Sequence, residues 1–212
     1  MQSLTKLQLC NNILTKIEKL DQLTNLVWLD LSFNSIKKIE NLDNLKKLEC
    51  INLHRNLITS IENMDNQLRL EIFIISSNGI NSFEHVKYLR RFVRLQSVNF
   101  EGNPITNDQN YRLHTVALLP QISLLDYVRV SGSERTQADA KYKDRLAKLA
   151  ATDDKLRRRA SVVEADEAVR ATYKSAFVDG FYDDEFWTDL CAQDNDGKIV
   201  LMIGDTDDIQ NM

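Results

Sequence analysis

The chain has 212 residues, 43% of them hydrophobic and 27% charged, with a formal net charge of −4. That balance supports a buried core, excludes disorder throughout, and lacks the overall basic charge that announces a nucleic-acid binder. Cys10, Cys50 and Cys191 are odd in number and widely spaced, which fits reduced thiols in a protein of cytosolic origin better than a disulfide framework or a zinc cluster. No secretory signal or transmembrane run is legible.

From the first residues onward the chain repeats itself. Leu4, Leu26, Leu48 and Leu70 recur every 22 residues, and Leu95 follows after 25. Each begins the pattern L-x-x-L-x-L-x-x-N-x-I/L, so that Asn12, Asn34, Asn56, Asn78 and Asn103 occupy one position in five units. Such a unit holds one short strand with inward leucines and a return arc, and it buries its apolar face only by stacking on its neighbours. The expected fold is therefore α/β: a leucine-rich repeat solenoid with a parallel concave sheet and short helical arcs. An asparagine amide among core residues needs partners, and the five asparagines are expected to form a ladder bonding backbone groups of their own and adjacent coils. The arcs, as in "IKKIENLDNLKKL", place apolar residues three apart, which suits short 3₁₀ or α turns.

The variable strand positions project together on the concave side. Trp28, Phe33, Ile72 and Ile74 read there as an apolar patch bordered by His54 and Arg55, the composition of a partner-binding hot spot. Trp28 has the alternative of packing sideways on neighbouring strand residues. Met1 lies three residues before the first repeat leucine, with no counterpart of the C-terminal cap, and the expectation is that either the chain begins mid-solenoid or another protein covers that end.

After Asn103, Pro104 breaks the regularity, "NYRLHTVALL" reads as a helix offering Leu113, Val116, Ala117 and Leu118 to the core, and Pro120 ends it. Residues 1–130 are thus read as repeats with a C-terminal cap. Residues 131–176 become rich in Ala, Lys, Arg, Glu and Asp and read as a long helix from about Ser133, with a stripe through Tyr142, Leu146, Leu149, Leu156, Ala160 and Val163. So thin a stripe either packs on the solenoid's own cap or docks on a partner's coiled coil, and the partner reading includes Leu146, Leu149, Leu156 and Val163. Residues 177–212 carry ten acidic side chains against one Lys, a charge of −9 against +5 for the remainder, together with five aromatics. This tail reads as a separate segment able to take part in interactions.

Groups for catalysis or metal binding do not converge. His54 lies at a strand exit, while His85 and His114 read as surface residues without metal-ligand spacing. "AQDNDGKIVLMI" has Asp194, Asp196 and Gly197 of a calcium loop, but Ala192 and Ile203 stand where carboxylates are needed. No phosphate-binding glycine loop or nucleophile motif is present. No enzyme activity, metal or cofactor is expected. Ser161 ends "RRRAS", the context of a basophilic kinase site.

The 22-residue units and their cap resemble the phosphatase-regulator-like class of leucine-rich repeats that spliceosomal A-prime proteins and many ciliary proteins share. "LTKLQLCNNILTKIEKL", "LVWLDLSFNSIKKIENL", the lengthened unit "YLRRFVRL", the cap ending in "LDY", and "SAFVDGFYDDEFWTDLCAQDNDGK" together resemble the dynein regulatory complex subunit 3 family, the leucine-rich-repeat subunits of the axonemal nexin-dynein link. The resemblance implies a structural scaffold of motile cilia and flagella. Its implied partners are other dynein regulatory complex subunits, which are coiled-coil proteins, and axonemal doublet and dynein components, with no nucleic acid, membrane or small-molecule substrate. A soluble phosphatase-regulatory or dynein-assembly protein is the alternative.

Overall fold

The structure, a computed structural model, describes residues 4–149. Five three-residue strands, β1 (Lys6–Gln8), β2 (Trp28–Asp30), β3 (Cys50–Asn52), β4 (Ile72–Ile74) and β5 (Ser97–Asn99), lie parallel and in chain order. β6 (Leu124–Leu125) continues the parallel ladder, and β7 (Val128–Arg129) turns back antiparallel as the last strand of the sheet. The register aligns Leu7, Leu29, Ile51, Phe73, Val98 and Leu125. Because alternate side chains of a strand point to opposite faces, this central column enters the core while its neighbours face the concave side. The expected α/β solenoid is the observed fold.

Each of the first five strands leaves the sheet through a residue in the left-handed region: Asn11, Phe33, Arg55, Ser77 and Gly102, with φ between 50° and 71°. A left-handed residue other than glycine costs about 1–2 kcal/mol, so the turn needs external support. The following asparagine gives it. Asn34 Nδ2 donates to the carbonyls of Leu9 (2.9 Å), Leu31 (3.0 Å) and Ser32 (3.0 Å), while its Oδ1 accepts from Leu14 N (3.0 Å). Asn56 and Asn78 repeat these bonds one coil on, and Asn103 bonds Ile75 O, Phe100 O and Ile80 N. Among the described residues the Asn12 side chain bonds only its own coil, at Leu9 O and Cys10 O. A second amide row runs along the arcs, where Asn41 donates to Ile17 O and Asn63 to Ile39 O; these two residues and Lys19 are also left-handed.

The first three arcs carry the short turns expected of them. These are isolated turns, such as Leu45 N to Leu42 O (2.9 Å) and Leu48 N to Leu45 O (3.2 Å), rather than continuous helix. A 22-residue unit returns to the next strand in too few residues to propagate one. The fourth unit is three residues longer and has the room: it contains α1 (Phe83–Tyr88), capped by Ser82, which accepts from Glu84 N, and the 3₁₀ turn Leu89–Arg91.

The C-terminal end is closed by the 3₁₀ turn Pro104–Asn107 and by α2 (Tyr111–Leu118), which buries Tyr111, His114, Val116, Ala117 and Leu118 and packs Leu113 partly against the core. The Asp126 carboxylate ties cap to sheet, accepting from Phe100 N (2.7 Å) and the Tyr111 hydroxyl (2.8 Å). Burial and that carboxylate push the Tyr111 hydroxyl well above the usual phenol range.

α3 (Gly132–Ala147) begins at a capping box in which Ser131 and Glu134 each accept from the other's backbone N–H. Arg112 anchors this end, donating from Nε to Glu134 (2.6 Å) and from its terminal nitrogens to Leu125 O and Arg129 O. The helix bends at Tyr142, whose φ of −114° is non-helical. Tyr142, Leu146 and Leu149 pack against the chain's own core, so the apolar stripe, as far as it is described, is used internally. Leu156, Ala160, Ser161, Val163, Cys191 and the calcium-like loop lie outside the described residues.

Candidate interaction surface

The concave sheet sets side chains in rows one coil apart. The first row reads Lys6, Trp28, Cys50, Ile72 and Ser97; the next reads Gln8, Asp30, Asn52, Ile74 and Asn99. The expected apolar patch does not hold together here. Trp28 is 2% exposed and Ile74 is buried, because each is flanked on both sides by neighbouring strands and Lys6 Nζ lies 4.6 Å from the centre of the indole ring. Trp28 therefore packs sideways. Ile72 stays partly open.

The second row is a polar stripe that the repeat pattern did not reveal. Asp30 accepts from Ser32 N (2.7 Å) and from Asn52 Nδ2 (3.2 Å), and Asn52 Oδ1 accepts from His54 N (3.0 Å). Burial raises the Asp30 pKa despite these bonds. Ile74 interrupts the stripe, so Asn99, whose Oδ1 accepts from Glu101 N (2.8 Å), has no acceptor for Nδ2 among the described residues; Gln8 Nε2 likewise has none.

At the strand exits three of the expected binding residues do converge. The Phe33 and His54 rings meet edge to face at 5.0 Å and 78°, and the Arg55 guanidinium lies 5.4 Å from the Phe33 centroid. Phe33 is 37% exposed, and Arg55 is exposed. His54 is half-buried, with Nδ1 2.7 Å from Ser76 Oγ; burial first, and Arg55 second, lower its pKa. The left-handed turn produces this corner: it directs the residue before each ladder asparagine outward, so Phe33 and Arg55 stand on successive coils.

The remaining histidines lie elsewhere. His85 Nδ1 accepts from Ile61 N (3.3 Å). His114 is buried rather than on the surface, because the fourth arc and α3 close over it: its ring lies between Phe83, 3.9 Å away, and Tyr142, 4.5 Å away. An open cleft beside it is lined by Ser82, Phe83, Pro104, Asp108 and Arg145. No group of histidine, cysteine and carboxylate side chains able to hold a metal ion occurs among the described residues. At the Phe33 corner an exposed aromatic ring and an arginine lie side by side, on backbone turns that the ladder asparagines hydrogen-bond.

Residues 4–153 match the family described as leucine-rich repeat. Over 114 residues the chain is 35% identical to dynein regulatory complex subunit 3 of Macaca fascicularis and 34% identical to that of Homo sapiens. Each match takes in 54% of this chain and 22% of the relative, so the chain covers about a fifth of the length of these relatives. Among solved structures, a chain of the Drosophila melanogaster SNF/U2A′ complex superposes with a TM-score of 0.61 at 27% identity, covering 68% of this chain and 87% of that one.

Proposed function

Since the chain belongs to the leucine-rich repeat family, we propose that it is a non-catalytic scaffold subunit of the dynein regulatory complex in motile cilia and flagella. The relatives named dynein regulatory complex subunit 3 support the assignment to that complex. The observation that carries the mechanism is the corner of Phe33, His54 and Arg55, held rigid by the asparagine ladder and open to a partner. Aromatic and arginine side chains contribute disproportionately to interface energy, and a rigid backbone loses little entropy on binding. The proposed partners are the coiled-coil subunits of the complex, presented to doublet and dynein components, with Ile72 and residues Leu156 and Val163 of the following segment as further contacts. Residues 1–130, 131–176 and 177–212 are proposed as three functional segments.

The location of a tagged copy tests this assignment. Signal along the axoneme that persists after membrane removal at moderate salt agrees with a scaffold; release with the soluble fraction contradicts it and favours a cytoplasmic regulator or assembly factor. A second reading, assembly into a ribonucleoprotein through the same face, draws on the superposition with the SNF/U2A′ complex. Nuclear signal without flagellar signal favours that reading.

A further inference from the structure

The edge where strands turn into arcs carries apolar side chains that face water. Ile13 is 92% exposed and Leu57 54%. The bonds from Ser35 N to Leu14 O and from Leu57 N to Ile36 O place Ile13, Ser35 and Leu57 at one register position on successive coils, about 10 Å from first to last at the spacing of a parallel sheet. Phe33 stands two residues before Ser35. The three edge segments 11–16, 33–38 and 55–60 contain four cations, Lys16, Lys37, Lys38 and Arg55, and no carboxylate. None of these cations pairs with a carboxylate among the described residues. An apolar strip bordered by cations that no described carboxylate neutralises calls for an occupant that is both aromatic and acidic.

The chain contains such a segment. Residues 177–190, "FVDGFYDDEFWTDL", hold five aromatics and five carboxylates with no cation. We propose that this segment docks on its own solenoid's edge, with aromatic side chains against Ile13, Phe33 and Leu57 and carboxylates toward Arg55 and Lys37. It rests on the Phe33–Arg55 corner being a docking surface, not on which complex the protein enters. The 27 residues between Leu149 and Phe177 span about 40 Å if helical and about 30 Å as a flexible chain, against about 20 Å for the four strand spacings from β6 back to β2 along the ladder. A tether of that length holds the segment at millimolar effective concentration, so a weak contact suffices. A partner of acidic, aromatic chemistry then has to displace the segment, which makes docking at this edge conditional.

Chymotrypsin digestion of the full chain, read by mass spectrometry at Phe177, Phe181, Tyr182, Phe186 and Trp187, tests this inference. Leu57→Asp and Arg55→Glu, in samples whose melting matches the parent, are expected to accelerate cleavage at these sites about tenfold. Adding Asp183→Lys and Asp184→Lys to Arg55→Glu is expected to restore protection. Equal cleavage in the parent and both edge variants overturns the proposal, as does protection that vanishes on dilution, since the segment is then held by a second copy. If cleavage is equal but Arg55→Glu still loses axonemal retention, the proposed function stands and only this inference falls.

Discussion

The imidazole of His114 lies flat on the Tyr142 ring, with centroids 4.5 Å apart and 8° between the planes, while Phe83 covers its other side. This stack joins the fourth arc, the cap helix and α3, and leaves His114 Nε2 buried without a partner among the described residues. Burial, reinforced by Arg145 and opposed by Asp108, lowers the imidazole pKa below 6.5. The unfolded chain therefore takes up the proton first as pH falls. Stability from the neutral ring is present above about pH 6.5 and is lost as pH drops through the lowered folded pKa. The expected result is a Tm that falls between pH 7 and pH 5 more steeply in the parent than in His114→Phe; parallel curves contradict the stack's role.

The ladder predicts a graded series. The side chains of Asn34 and Asn56 each bond two coils, whereas among the described residues that of Asn12 bonds only its own. Replacing Asn34 or Asn56 by Leu leaves buried backbone groups unpaired and is expected to cost about 1–3 kcal/mol. The same change at Asn12 should cost less. Denaturant melts of the three variants decide this, and equal midpoints for all of them and the parent refute the ladder as a stabilising device.

Glu134 gives the opposite pH signature. Hydrogen bonds from Arg112 first, then from the Ser131 backbone, lower its pKa from 4.5 to about 2. The stability it contributes is present above pH 4.5 and disappears as pH falls toward 2. Glu134→Gln should lower stability at pH 7 by about 1 kcal/mol, the worth of a helix cap, with the gap closing at acid pH. A gap that stays constant from pH 7 to pH 2 removes the ionised carboxylate from the account.

Leu146 and Leu149 pack partly against the core, so their roles differ from those of partner contacts on a free helix face. Changing both to Asp is expected to lower stability by about 1–3 kcal/mol, through lost apolar burial. Unchanged melting returns these two leucines to the list of surfaces available to a partner.

The solenoid was legible because its information is periodic: the spacing of Leu4, Leu26, Leu48 and Leu70 fixes the coil length, and the asparagine position fixes the turn. Periodicity states which way a side chain points but not what lies beside it. Trp28 points to the concave side as expected, yet adjacent strands and Lys6 bury it. His114 looked like a surface residue because Phe83 and Tyr142, the rings that enclose it, are distant in sequence and neither belongs to a repeat motif. Ile13 and Leu57 were missed for a simpler reason: each sits between a ladder asparagine and an inward Leu14 or Ile58, where a hydrophobic residue reads as core. Their exposure follows from the left-handed turn two residues earlier, which the alternation of hydrophobic residues does not encode.

The proposed function requires the Phe33–Arg55 corner to dock the protein to its complex. The most direct measurement is the retention of a Phe33→Ala, Arg55→Glu double variant in demembranated axonemes across a salt series, in cells lacking the parent protein. Both side chains lie at the surface, so melting should match the parent within the ±0.5 kcal/mol or so typical of surface changes. The parent is expected to remain bound at salt concentrations that release the variant. Equal retention of the two proteins at every salt concentration contradicts it.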